Sequence, residues 1–329
     1  MENISNNYVE QLLDVARNKS IAVIGDVMLD QYYWGNVNRV SPEAPVPVVD
    51  IKNETFHLGG AANVAQNLES LGLRPFLFGL LGDDVTGEMF ERICDNLRIC
   101  HSGLYRDSSR VTTVKTRIIG NNQQIVRLDR EIVTPISAIA EEYILSHIKE
   151  LPDLDGIIFE DYDKGTLSKT LIRNVIDYAR MKNIPVFVDP KLNNFHNYKD
   201  ATVFKPNKKE TESGLNISIE TAADAEFAGE KLLKEFGMEN VLITLGSDGM
   251  MLFTKDGEVY SVPTVARKVA DVSGAGDTTI ASLTALYIAG ASLKEAATVA
   301  NFAAGVVCEK PGIVAIERFE LLEAIKRNV

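Results

Sequence analysis

Asp271-Val-Ser-Gly-Ala-Gly-Asp277 runs directly into Thr278-Thr-Ile-Ala-Ser-Leu-Thr-Ala-Leu-Tyr-Ile-Ala289. A glycine-rich turn thus carries a carboxylate at the mouth of a strongly apolar helix spanning 278–289. A helix N-terminus exposes unpaired backbone N–H groups and a partial positive charge, so it attracts anions. Gly274 and Gly276, with Ala275 between them, let an anion approach the backbone where a larger side chain would interfere. Asp277 would repel that anion, so a carboxylate here suits a base taking a proton from a hydroxyl that attacks a phosphate. The alternative is a capped helix start, with Ser273 or Asp271 as the cap and the glycines as turn residues.

Working outward, the chain alternates strands and helices. Strands are expected at Ser20–Gly25, 74–81, 155–160, 185–189, 201–204 and 240–245. Helices are expected from the Gly59-Gly60 pair to about residue 71, then at 84–97, 167–181, 207–213 and Ala222–Phe236. This rhythm predicts an α/β fold, a mostly parallel sheet with helices on both faces. Two segments break it: the Pro-rich stretch 44–52, and 110–130, which reads as two strands around Gly120-Asn-Asn122. Together they suggest an antiparallel lid over the site, or else an oligomer contact. Without an internal repeat or low-complexity linker, residues 1–329 read as one domain with lid segments at about 32–57 and 104–131.

Composition narrows the function. The 329 residues are 45% apolar and 24% charged, and 34 Lys and Arg stand against 46 Asp and Glu, giving a net charge of −12. That balance argues against nucleic acid or an anionic membrane as partner, and places a phosphorylated substrate at a local basic cluster. The three cysteines form no C-x-x-C pair and the four histidines show no metal-ligand spacing. The polar first 20 residues and the lack of a long apolar run lead us to expect a cytoplasmic protein. A P-loop, a protein-kinase signature and a G-x-G-x-x-G after the first strand are all missing, which argues against those nucleotide-binding classes.

Other segments offer chemistry. Thr244-Leu-Gly-Ser-Asp-Gly249 closes a strand with a hydroxyl and with Gly246 and Gly249, which suits a nucleotide at the carboxyl edge of a parallel sheet or a plain turn. Asn207-Lys-Lys-Glu210 sets Asn207 and Glu210 on one helical face, fit for a water-coordinated Mg²⁺ or for a capping box. Asp26, Asp30 and Asn63 lie at strand or helix ends, where they can grip sugar hydroxyls or serve as caps. Lys164, Lys191, Arg39, Arg117 and Arg127 flank these segments, and a cluster among them could hold a phosphate.

Together these segments resemble the PfkB/ribokinase family of small-molecule kinases, over nearly the whole chain. Gly59-Gly-Ala-Ala-Asn-Val-Ala65 is similar to its first signature, and the 271–277 segment to its second. Asn207-Lys-Lys-Glu210 and Thr244-Leu-Gly-Ser-Asp-Gly249 resemble its Asn-x-x-Glu motif and nucleotide loop. The resemblance implies a ribokinase-like fold and ATP with Mg²⁺ as cofactors, with the monovalent cation K⁺ as a further candidate. It implies phosphate contacts at Gly274, Ala275 and Gly276, Asp277 as base, and Asn207 and Glu210 on Mg²⁺ through water. Nucleotide contacts would come from Asn207, Lys208, Lys209, Glu210, Thr244, Gly246 and Gly249. Asp26, Asp30, Gly59, Gly60 and Asn63 would hold the sugar, and Arg127, Lys164 and Lys191 its phosphate.

Within the family, Gly25-Asp-Val-Met-Leu-Asp-Gln-Tyr-Tyr-Trp-Gly35, Arg39-Val-Ser-Pro-Glu-Ala-Pro-Val-Pro-Val-Val49, Asp161-Tyr-Asp-Lys-Gly165 and Val188-Asp-Pro-Lys191 are similar to members acting on D-glycero-β-D-manno-heptose 7-phosphate. The implied product is the 1,7-bisphosphate, on the route to ADP-heptose and lipopolysaccharide core. Residue 163 is acidic where a small residue is expected. Bifunctional members add a nucleotidyltransferase with an H-x-G-H motif, which this sequence lacks. The expectation is a homodimeric stand-alone kinase, with a separate nucleotidyltransferase and phosphatase acting downstream. The rivals are a ribokinase, fructokinase or phosphofructokinase, and a nucleotide-binding regulator that has lost catalysis.

Overall fold

The computed structural model describes residues 4–264 and 269–327. Nine strands form one sheet in the order β13-β12-β11-β10-β9-β8-β1-β4-β5. Its parallel body comprises β1 (Ser20–Gly25), β4 (Arg74–Gly82), β5 (Cys100–Asp107), β8 (Leu154–Glu160), β9 (Val186–Asp189), β10 (Val203–Phe204) and β11 (Val241–Thr244). β12 (Met250–Phe253) and β13 (Val259–Val262) add an antiparallel edge. The parallel strands are short continuous apolar runs because both their faces are covered. Along β1, Ile21 and Val23 join the core on one face while Ala22 and Ile24 join that on the other.

The first face is covered by α1 (Asn6–Ala16), α2 (Ala61–Ser70), α3 (Val85–Asn96), α8 (Ala275–Ile288), α9 (Leu293–Cys308) and α10 (Arg318–Lys326). The second carries α4 (Ala138–Glu150), α5 (Lys169–Lys182), α6 (Lys208–Leu215) and α7 (Ala222–Phe236). α8 is buried all round from Asp277 to Leu286, which explains why its sequence carries only apolar residues and small hydroxyls after Asp277. Burial of Ile280, Leu283 and Leu286 contributes roughly 1.5–3 kcal/mol each, so the N-terminus of α8 is firmly fixed.

The second sheet, β3-β2-β6-β7, contains β2 (Val27–Val40), β3 (Pro47–Gly60), β6 (Val114–Gly120) and β7 (Gln123–Arg130). It is built from two antiparallel hairpins, β2–β3 and β6–β7, whose inner strands β2 and β6 run parallel. The second turn forms at Asn121 and Asn122, both left-handed, as a tight hairpin requires. The expected lid bounds shift: 104–107 pairs with β4 in the large sheet, and the first hairpin begins at Val27. Residues 6–16, read only as a polar start, form α1, capped by Ser5.

Candidate active site

Parallel strands deliver their carboxyl ends to one edge, and register aligns what they carry. Gly25 lies level with Glu160, and Glu160 with Asp189. Lys205 follows β10 directly, and its amide donates to the Val188 carbonyl at 2.8 Å. Across this edge sits the first turn of α8, so Glu160, Asp189 and Asp277 bring carboxylate oxygens within 4.8 Å of one another, all buried. The Lys205 ammonium, 2% exposed, is 2.6 Å from Asp189. Burial pulls Lys205 toward neutrality, but Asp189 and Glu160 outweigh it and raise its pKa. Neither Glu160 oxygen has a hydrogen-bond partner among the described residues. Burial, reinforced by Asp189 and Asp277, pushes this carboxyl well above the usual range.

Asp277 is held by two donors. Asn63 Nδ2 donates to Oδ2 at 2.7 Å and the Tyr162 hydroxyl to Oδ1 at 2.9 Å. Asn67 braces Asn63, donating to its carbonyl at 2.8 Å, while Asn67 Oδ1 accepts from the Thr278 hydroxyl and the Ile316 amide, each at 3.0 Å. Burial raises the Asp277 pKa, the Asn63 hydrogen bond works against it, and the net shift is upward. The Gly59-Gly60 pair makes this arrangement reachable. Gly60 has φ +59, and a Cβ there would lie 2.3 Å from the Asp26 carbonyl, so only glycine lets α2 start here.

The anion side is open. The N-cap of α8 is Gly274 at φ +81, with no side-chain cap. Asp271 turns instead to the amides of Ser273 at 2.9 Å and Gly312 at 3.1 Å, so neither expected cap residue closes the helix end. A Cβ on Gly276 would meet only Asp189 Oδ2 at 3.4 Å and Lys205 Nζ at 3.6 Å, which places an ammonium beside the open amides. A cavity of about 330 Å³ adjoins them, lined by Thr244, Gly246, Gly249, Ala275 and Gly276. Asn301 and Cys308 also line it, and the sequence had not marked them out.

Asn207 is bridged to Thr244 at this edge. The capping box is present: Glu210 N donates to Asn207 Oδ1 at 2.9 Å and Asn207 N to Glu210 Oε2 at 2.8 Å. Glu210 Oε1 accepts from the Lys191 ammonium. Both Glu210 oxygens are thus bonded within the protein. Lys208 is half-buried and Lys209 exposed on the first turn of α6.

On the sugar side, most of the expected residues are bonded to other protein groups. Asp26 spends both oxygens on backbone amides of the 162–166 loop, from Tyr162 at 2.8 Å, Lys164 at 3.0 Å and Thr166 at 3.1 Å. It anchors that loop, and the three amide donors offset the cost of burying its charge. Asn63 is committed to Asp277. Asp30 pairs with Arg117, and its carboxylate lies where a Gly59 side chain would stand. Lys164 pairs with Glu131 at 2.7 Å and Lys191 with Glu210. Arg127 is half exposed and bonded to Asp129, and Arg39 is exposed. Asp163 adopts φ +55, a left-handed conformation that aspartate tolerates.

The doubly wound sheet, the open helix end and the buried aspartate beside it define the class as a small-molecule kinase with the ribokinase-like fold. The match to known proteins makes this specific: residues 18–317 fit the model described as pfkB family carbohydrate kinase, and the chain belongs to that family. It shares 42% identity over 315 residues with the Bifunctional protein HldE of Geobacter metallireducens, covering 95% of this chain and 64% of that protein. The protein of the same name from Helicobacter pylori (strain J99) is 42% identical over 307 residues, covering 92% and 66%. The chain thus spans less than two thirds of the length of these relatives. Among solved structures, phosphofructokinase-2 from Escherichia coli in complex with potassium superposes with TM-score 0.79 at 16% identity, covering 94% of this chain and 99% of that one. Arabidopsis thaliana ribokinase complexed with ribose and ATP gives TM-score 0.71 at 19% identity, covering 94% and 99%.

Proposed function

We propose that this kinase transfers the γ-phosphoryl group of ATP to the 1-hydroxyl of D-glycero-β-D-manno-heptose 7-phosphate, giving the 1,7-bisphosphate. The observation that carries the kinase chemistry is the uncapped α8 N-terminus with Asp277 in its first turn, both carboxylate oxygens fixed by Asn63 and Tyr162. In this reading ATP occupies the cavity beside Thr244, Gly246 and Gly249. The amides of Gly274, Ala275 and Gly276 and the Lys205 ammonium offset the charge developing on the phosphoryl oxygens. The acceptor hydroxyl takes the place of the Tyr162 hydroxyl on Asp277, which receives its proton. Asp30 and Gly59 lie on the sugar side, with Asp26 positioning the loop that carries Tyr162.

The hard oxygen donors of Asn207 and Glu210 suit Mg²⁺ held through retained waters, and such an ion would shield the phosphate charges. A monovalent cation such as K⁺ is a further candidate cofactor. The heptose assignment is supported by the 25–49, 161–165 and 188–191 segments and their resemblance to kinases of that sugar. No described helix is long and apolar enough to cross a membrane, in keeping with a cytoplasmic reading. Val126 and Leu128, exposed on the small sheet, suit a homodimer contact. A nucleotidyltransferase and a phosphatase would act on the product.

A coupled ADP-release assay with heptose 7-phosphate, fructose 6-phosphate, fructose and ribose tests this reading. Preferred turnover of the heptose phosphate supports it. Preference for another acceptor refutes the substrate, and nucleotide binding without turnover of any acceptor supports the regulator instead.

A further inference from the structure

Lys115, on the small sheet, is a cation that the proposed chemistry has not used. β6 runs parallel to β2, setting Lys115 level with Asp30 and Arg117 level with Tyr32, so these side chains share the face that carries Asp30. The carboxylates near Lys115 are committed elsewhere. Asp30 is bonded to Arg117, and Asp129, opposite Lys115 on β7, accepts from Arg127 at 3.0 Å through each oxygen. Glu131 accepts from Lys164 at 2.7 Å.

Lys115 itself has no ion pair or hydrogen bond among the described residues; its ammonium rests 4.9 Å from the centroid of the Tyr162 ring. Burial draws its pKa down and the like charges of Lys164 and Arg117 lower it further, while Asp30 and Asp129 draw it back in part. A half-buried ammonium with two cations beside it concentrates positive charge at one place in a chain of net charge −12, which suits contact with an anion.

The geometry also distinguishes which anion. The Tyr162 hydroxyl donates to Asp277 at 2.9 Å, so the Lys115 ammonium stands one phenol ring from the candidate base. The open amides of α8 have their own ammonium in Lys205, 3.6 Å from the Cβ position of Gly276. The transferred phosphoryl group is therefore provided for, and the second anion belongs to the acceptor.

We propose that Lys115, flanked by Arg117 and Lys164, binds the phosphomonoester already present on the acceptor sugar and thereby selects sugar phosphates over free sugars. This rests on the sugar-kinase reading for its biological meaning, but the anion site can be measured without turnover. Lys115→Met keeps an unbranched stem against Tyr162 and removes only the charge, and Lys115→Arg restores it.

Two measurements decide it. Titration of wild type with inorganic phosphate, followed by calorimetry, should show binding that weakens roughly ten- to a hundredfold in Lys115→Met, the cost of one charge-assisted contact. In the ADP-release assay, KM for the phosphorylated acceptor should rise by a similar factor and recover in part in Lys115→Arg. The KM for ATP and turnover of free sugar should not move, and the melting temperature should hold or rise. Unchanged phosphate affinity, an equal rise in the ATP KM, or no phosphate binding by wild type overturns the proposal. If wild type binds phosphate through Lys115 but turns over no acceptor, the kinase reading fails while the anion site stands.

Discussion

Asp277→Asn tests the proposed base with little structural disturbance. Asp277 is buried and bonded by only two described side chains, the Asn63 amide at 2.7 Å and the Tyr162 hydroxyl at 2.9 Å. An asparagine can keep both contacts: its carbonyl accepts from Asn63, and its NH₂ donates to the tyrosine oxygen. Volume is unchanged and a desolvated carboxyl is removed, so the melting temperature should hold or rise. What disappears is the proton acceptor. General-base loss lowers kcat by about a hundredfold to ten-thousandfold, which corresponds to roughly 3–5 kcal/mol of transition-state stabilisation. Nucleotide affinity should stay close to wild type, because the cavity beside Thr244 and Gly249 does not depend on the acid. The assay is ADP release at saturating ATP and acceptor, paired with calorimetric nucleotide binding and thermal unfolding. A kcat near that of wild type would refute the base assignment, as would a loss explained entirely by lost ATP binding.

Gly276→Ala should fold normally, because its Cβ makes only ordinary contacts at 3.4 Å with Asp189 and 3.6 Å with Lys205. The methyl narrows the approach to the helix amides, so kcat/KM for ATP should drop on the order of a hundredfold at an unchanged melting temperature, and full activity would remove the phosphate from this position. Glu160→Gln bears on pH dependence. The folded-state pKa of Glu160 lies well above its ordinary 4.5, so between those values the native chain keeps a proton that the unfolded chain has released. Stability therefore falls as pH rises from about 4.5 through the folded value, and the variant should match wild type below that window and melt higher above it. Thermal scans from acid to mildly alkaline pH check this, and a variant less stable at alkaline pH would contradict it.

Much of the fold was legible because its signals are local. The unbroken apolar run of β1 (Ser20–Gly25) and the helix at Ala222–Phe236 fell where the structure has them. Strand β5, helix α4 and the β12–β13 edge were not anticipated: 100–107 is polar along much of its length, and β12 and β13 are four-residue strands. Asn207 and Glu210 were readable as a capping box since three residues fix that geometry.

The sequence by itself determined the βα rhythm, the glycine-flanked mouth of α8 and the presence of an aspartate in it, because each depends on neighbours within a turn or two. Only the tertiary structure decided what that aspartate touches. Asn63 and Tyr162 are 214 and 115 residues from Asp277 and reach it through strand order and register. The same holds for Asp26, whose carboxylate takes its amide partners from the distant 162–166 loop, and for Glu160, Lys205 and Lys115, which no motif distinguishes. A side chain's chemistry is written locally, but its desolvation and its partners are set by which distant strands are brought alongside it, and those set its charge.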